Sequence, residues 1–172
     1  MKRLIAVLMI TTTLSSFTTT SEVSENSRIH SSKKLGLEII RAVADQSESD
    51  FLALLPSVSD FHAIMNANAV FYGGNIAEAQ KEFSSVYTAQ VVPQAKKAFA
   101  KLIQEGKKHR IDWRTIEVAG IDTATEPGGT LSFVSVSINF LSSGNPYRLI
   151  VDKSLVWNGQ WKVSQHIRLT KG

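Results

Sequence analysis

The 172-residue chain contains no cysteine. Disulfides, thiol catalysis and thiolate metal sites are therefore excluded. So is lipid anchoring of the bacterial lipoprotein kind, which needs a Cys just after an apolar leader. Nor is there a long hydrophobic run. The apolar stretch near the N-terminus, Leu4 to Ile10, falls far short of the roughly 20 residues that cross a bilayer. Extended to Phe17 it is broken repeatedly by Thr and Ser, so no stable membrane anchor is expected. A dense basic stripe is missing too. The formal net charge is +4, two of the cations are Lys2 and Arg3, and the rest are scattered in short clusters at Lys33-Lys34, Lys96-Lys97 and Lys107 to Arg110. That pattern suits solvated helix faces and ends better than a nucleic-acid surface. No His-x-x-x-His spacing or His/Asp cluster suggests a metal, and no cofactor motif stands out, so neither is expected.

What is present begins with the leader. Lys2 and Arg3 precede the apolar Leu4 to Ile10, and small and hydroxylated residues follow from Thr11 to Ser21. Basic end, short apolar middle and small-residue exit are the order of a secretory signal peptide. The expectation is a cleaved signal over residues 1–20 and a protein exported to the periplasm or secreted. Residues 21–32 are polar and Ser-rich without period and read as a flexible linker. Residues 33–172 then have the size of one domain, large enough to bury a core without covalent staples.

The first half of that domain reads as helices. Leu35, Ile39, Ile40 and Val43 make an apolar stripe over Lys33 to Ala44. Ser47, with Asp50 three residues on, caps a second short helix that ends by Pro56. A third starts near Ser57 or Ser59 and carries Phe61, Ile64 and Met65. Ala69 to Tyr72 reads as a short strand or an extended link, and Gly73-Gly74 as a break. From Ile76 to Glu105 apolar residues keep steps of three and four, including Phe83, Val86, Tyr87, Val91, Phe99 and Leu102. The phase continues across Pro93, which predicts one kinked helix, with Gly106 as its terminal residue.

After Ile111 the period becomes two. Strands are expected at Trp113 to Ile121, Leu131 to Leu141, Tyr147 to Trp157 and Trp161 to Leu169. They are separated by turns at 126–129, at 142–146 and at Asn158-Gly159. Asn-Gly between alternating runs is a strong hairpin signal, and short connections make the sheet antiparallel. Each strand has one apolar face, as in Val134, Val136, Ile138 and Phe140 against Ser135, Ser137 and Asn139. The fold class expected is α+β: N-terminal helices, one of them long and kinked, on one face of a curved antiparallel sheet of about four strands. The buried set should include Phe83, Tyr87, Phe99, Val136, Ile138, Leu149, Val163 and Ile167.

The element order and the ending, Tyr147-Arg-Leu-Ile-Val … Leu155-Val-Trp-Asn-Gly-Gln-Trp-Lys-Val163, resemble the last hairpin of the nuclear-transport-factor-two-like superfamily, with its cystatin-like α+β cone. The resemblance implies a cavity inside the cone, between the long helix and the concave sheet. The superfamily includes isomerases, dehydratases, transport factors and exported domains, so the fold alone fixes no function.

Four residues are candidates for such a cavity. Lys153 falls on the apolar side of its strand between Val151 and Leu155, where it faces the cavity and holds an anionic ligand unless a bulge at Asp152 to Ser154 turns it to solvent. Tyr72, Trp113 and His62 are candidates for the mouth. Asp60 and His62 are the nearest acid–base pair, but two residues apart on a helix they point in different directions. No catalytic constellation is visible. The expectation is a non-catalytic exported domain binding a small ligand in the cone or a protein partner. The alternative is a cone-fold enzyme of isomerase or dehydratase type. A module that dimerises through its sheet is a third reading, set against the Ser, Asn, Lys and Arg on the outer strand faces.

Overall fold

The computed structural model describes residues 25–72, 75–126, 132–157, 159–163 and 166–172. The segment read as a signal peptide, the Gly73-Gly74 break, Pro127-Gly128-Gly129, Asn158 and Ser164 lie outside them. The helices are α1 (Glu25–Ala44), α2 (Glu48–Ala53), α3 (Val58–Ala67), α4 (Ile76–Val86) and α5 (Val92–Lys108). The strands are β1 (Glu117–Glu126), β2 (Ser132–Ser142), β3 (Asn145–Trp157), β4 (Gln160–Lys162) and β5 (His166–Lys171). Helices pack against a curved antiparallel sheet in the order β1-β2-β3-β4, with β5 also paired to β3. The α+β architecture is the one the hydrophobic periods predict.

Several details differ from the sequence reading. Helix α1 starts at Glu25, ahead of Lys33, so the stretch expected to be a linker is helical from that residue on. Ala69–Tyr72 forms a 3-10 turn rather than a strand. The first strand begins at Glu117, not Trp113, because Asp112 organises a turn: its Oδ1 accepts the Arg114 N–H and its carbonyl accepts the Thr115 N–H, both at 3.1 Å. The last strand is split. β4 pairs with Leu155 to Trp157 and β5 with Tyr147 to Asp152. Between them Val163 leaves the ladder and gives its N–H to the Leu54 carbonyl at 2.9 Å.

The long helix is continuous from Ile76 to Lys108 and bends at a π-turn over Tyr87–Val91, where the Val92 N–H reaches back to the Tyr87 carbonyl. Pro93 has no N–H for the Ala89 carbonyl, and its ring crowds that oxygen. The extra residue in the widened turn relieves the crowding and lets the helix run through.

The core joins α1, α2 and α5 to the inner sheet face. Ile39, Val43, Phe51, Phe99, Val136, Ile138, Phe140, Leu149, Val151 and Val163 are buried there. Phe51 and Phe99 stack with ring centroids 5.0 Å apart. Phe83, Tyr87 and Ile167, expected to be buried, are only half-buried. No residue of α4 is buried, because α4 packs on α3 rather than on the sheet. It is α1, which contacts β1, β2 and β4, that occupies much of the inner face assigned to the long helix. Gly36 makes this possible: a Cβ there would sit 2.8 Å from Ile121 Cδ1 and 3.3 Å from Ile138 Cγ1.

Candidate functional site

The four candidate residues do not converge. Lys153 is exposed at a bulge, with φ +57°. Val134 pairs with Ser154 and Val136 with Val151, so Asp152 and Lys153 together oppose Ser135. The bulge shifts the pleat by one residue, and Ser154 takes the inward place that strict alternation gives to Lys153. Lys153 therefore does not face the inside of the sheet. Tyr72 is half-buried in the 3-10 turn at the far end of α3.

His62 belongs to the α3–α4 contact. Its Nε2 lies 3.2 Å from the Gln80 carbonyl and 3.1 Å from Ser84 Oγ. The carbonyl can only accept, so Nε2 is the donor wherever that contact is a hydrogen bond, whereas the Ser84 hydroxyl can take either role. The Gln80 amide completes the link by donating to Asn66 Oδ1 at 2.9 Å. Asp60, its neighbour in sequence, is engaged elsewhere. It accepts from the Ser57 N–H and the Ser57 hydroxyl, both at 2.7 Å, and pairs with the Lys162 ammonium at 3.7 Å. Burial pushes the Asp60 carboxyl up, but the Ser57 hydrogen bonds and the Lys162 charge outweigh it and hold the pKa below 3.8. Tyr87 donates its hydroxyl to the Pro56 carbonyl at 2.8 Å. Burial, and then the Asp60 charge, raise its pKa above 10.0.

Trp113 is the candidate that lines a cleft. The cleft, about 330 Å³, is open on one side and bounded by Ala44, Gln46, Ile103, Lys107, Ile111, Asp112, Trp113 and Arg114. Two helix ends build it. At the end of α1 the Ser47 N–H reaches the Ala42 carbonyl and the Gln46 N–H the Val43 carbonyl, with Gln46 at φ +52°. At the end of α5 the Ile111 N–H reaches the Gly106 carbonyl and the Arg110 N–H the Lys107 carbonyl, with Arg110 at φ +56°. Both are Schellman turns, and both use a side-chain-bearing residue where glycine is usual. Gly106 is not the terminal residue expected from sequence. It is buried inside α5, where a Cβ would overlap the Trp113 indole nitrogen and approach Cε2 to 2.9 Å. The missing side chain lets the indole lie against the helix. Beneath it Trp113 meets Phe140 at 5.4 Å, and Phe140 stacks on Tyr147 at 5.7 Å. The Asp112 turn then sets Arg114 on the rim beside Lys107.

Chemically the cleft offers an indole edge with Ile103, Ile111 and Ala44, and a rim of Lys107, Arg114, Asp112 and Gln46. No group of three or more His, Asp or Glu among the described residues is arranged to hold a metal. No helix is long and apolar enough to cross a membrane among them. Sequence reasoning placed Trp113 at the helix–sheet junction but missed Lys107, Arg114 and Gln46. The spacing of basic residues at 107–110 carries no sign that the helix end folds back over an indole. In comparisons with known proteins no family model, curated protein or solved structure matches the chain.

Proposed function

We propose that the protein is a non-catalytic binding domain, acting outside the cytoplasm, that holds a small acidic molecule with a flat apolar body in the Trp113 cleft. One observation carries the reading: Lys107 and Arg114, from two different elements, share a cleft with a buried indole that α5 gives up a side chain at Gly106 to accommodate. An apolar wall with a few polar groups on its rim is the usual make-up of a small-ligand site, and the volume is at the small end of the usual range of about 300–1,000 Å³. Lys107 and Arg114 outnumber Asp112 on the rim, and Lys108 and Arg110 extend the positive field, so an acidic group is favoured. An isomerase or dehydratase reading asks for an acid–base pair facing one space. Asp60 is instead held by Ser57 and Lys162, and His62 by Gln80 and Ser84. Export rests on the order of residues 2–21.

Nuclear magnetic resonance with indole-3-acetate and its neutral amide as probes tests the reading. The Trp113 indole N–H signal should move with the acid, and at least fivefold less steeply with the amide. Lys107→Glu with Arg114→Glu, both exposed positions, should abolish the shift and leave the fold intact. Equal response to acid and amide, or none to either, would refute it.

A further inference from the structure

We infer that the free edge of β1 is a docking strand for an extended, basic segment of a partner protein, which adds to the sheet as one more antiparallel strand. Among the described residues β1 pairs with β2 on one side only. Natural sheets guard such edges with lysine, proline, bulges or a covering element, because the unpaired N–H and C=O groups template another strand. Besides its own acidic side chains, which repel a second copy, β1 has one of these guards. Its register with β2 slips at Ala119, between Val118 and Gly120. Beyond the slip, from Gly120 to Glu126, the pairing is regular and the sequence, Gly-Ile-Asp-Thr-Ala-Thr-Glu, contains neither lysine nor proline.

The edge is also open above and below. Asp122, Thr123 and Ala124 point alternately to the two faces of the sheet, yet all three are exposed. The inner face, covered by α1 at Ile121 through the close approach of Gly36, is left uncovered by the described residues at Thr123. Small side chains at Gly120, Thr123 and Ala124 leave room for a neighbouring strand at the usual spacing of about 4.8 Å.

Charge selects the occupant. β1 carries Glu117, Asp122 and Glu126 and no cation. Antiparallel pairing of two copies would bring like charges onto one ladder, which is destabilising. A strand with Lys or Arg at alternate positions meets the acidic edge favourably, and its backbone supplies the hydrogen bonds. Asn139 steadies the carboxylate at the centre of this edge, donating its amide to Asp122 Oδ2 at 2.7 Å while accepting from Arg148 Nε at 2.8 Å. The Asp122 side chain is thus held on β1 without a cation paired to it among the described residues.

The site is separate from the Trp113 cleft, so each proposal can fail alone. The test uses the full chain and two blocked hexapeptides, (Lys-Val)3 and (Glu-Val)3, followed by amide hydrogen exchange. The basic peptide should slow exchange in Gly120 to Glu126 at least tenfold at alternate amides, with no shift of the Trp113 indole signal. The acidic peptide should leave β1 unchanged. Asp122→Lys, an exposed position, should weaken the basic peptide at least tenfold, and raised salt should do the same. Protection of β1 by both peptides alike, protection mapped to another strand, no protection at millimolar peptide, or concentration-dependent protection without peptide would each overturn the inference. The last outcome would mean that a second copy is the occupant.

Discussion

The body of the molecule and its α3–α4 arm are held together by different forces. In the body, α1, α2 and α5 meet the sheet through aliphatic and aromatic side chains that are almost wholly removed from water. In the arm, α3 buries Ile64 and Met65, but its contact with α4 is made by half-buried rings and hydrogen bonds. Phe61 and Phe83 lie 4.4 Å apart, Phe83 and Tyr87 6.1 Å, and His62, Ser84, Gln80 and Asn66 form a polar seam beside them. Val70 at the arm's tip is 92% exposed. Apolar burial is non-directional and scales with area, whereas a polar seam gains about 1 kcal/mol per bond and depends on geometry. The body should therefore melt as a unit, and the arm should open below the global transition.

The same deletion made in both regions exposes the contrast most strongly. Phe99→Ala removes a buried ring that stacks on Phe51 and should cost about 3–5 kcal/mol. Phe83→Ala removes a half-buried ring, and area alone sets its cost at about 1–2 kcal/mol. Chemical denaturation should separate the two variants clearly. Equal losses would mean that the arm is part of the cooperative core.

Acid and alkali act on the place where arm and body are tied. Asp60, at the start of α3, pairs with Lys162 on β4, and Tyr87 donates to Pro56. The Asp60 carboxyl is held below its ordinary value. Its contribution is present above about pH 3.9, the unfolded value, and is lost as pH falls through the lower folded value. The Tyr87 hydroxyl is raised, so its contribution is present below about pH 10 and is lost as pH climbs through the folded value. Amide exchange in α3 should quicken at both extremes before the core strands respond. Asp60→Asn should flatten the acid side and leave the alkaline side, apart from the small part of the Tyr87 shift that Asp60 supplies. An unchanged acid profile in that variant would show that the Lys162 pair does not hold the arm.

What was legible in the sequence was periodic. Steps of three and four gave α5 and the stripe of α1, steps of two gave β2 and β3, and Ser47 caps α2 by accepting from the Asp50 N–H as read. What was not legible depends on contacts between distant segments. Nothing local shows that Gly106 faces Trp113, since a glycine near a helix end is more often its cap. Nothing in Ala69–Tyr72 separates a 3-10 turn from a short strand. Phe83 and Tyr87 connect to Phe99 by steps of four, each of which drifts about 40° around a helix of 3.6 residues per turn. The stripe therefore winds from the side that meets α3 to the side that meets the core, and a run of regular steps hides that drift. For the candidate site, alternation left Lys153 facing inward unless a bulge at Asp152 to Ser154 turned it out, and the structure has that bulge. It inverts which of Lys153 and Ser154 points inward, and periodicity by itself does not place such an insertion.

That inversion supplies the smallest test. Ser154 is fully buried on β3, and its Oγ has no hydrogen-bond partner among the described residues. A buried hydroxyl left unpaired costs about 1–3 kcal/mol relative to one that is satisfied. Ala at this position removes the oxygen and leaves a void smaller than a methyl group. Ser154→Ala should therefore stabilise the protein by about 1 kcal/mol, raising Tm by about 2–4 °C. Ser84 in the arm is the opposite case. Its Oγ donates to the Gln80 carbonyl at 2.7 Å and lies 3.1 Å from His62 Nε2, so Ser84→Ala should lower stability by about 1 kcal/mol. One substitution, two regions and opposite signs follow from the way each region is held. A loss on Ser154→Ala would mean that the hydroxyl is paired in solution, and the body would then contain a polar contact of the kind otherwise found in the arm.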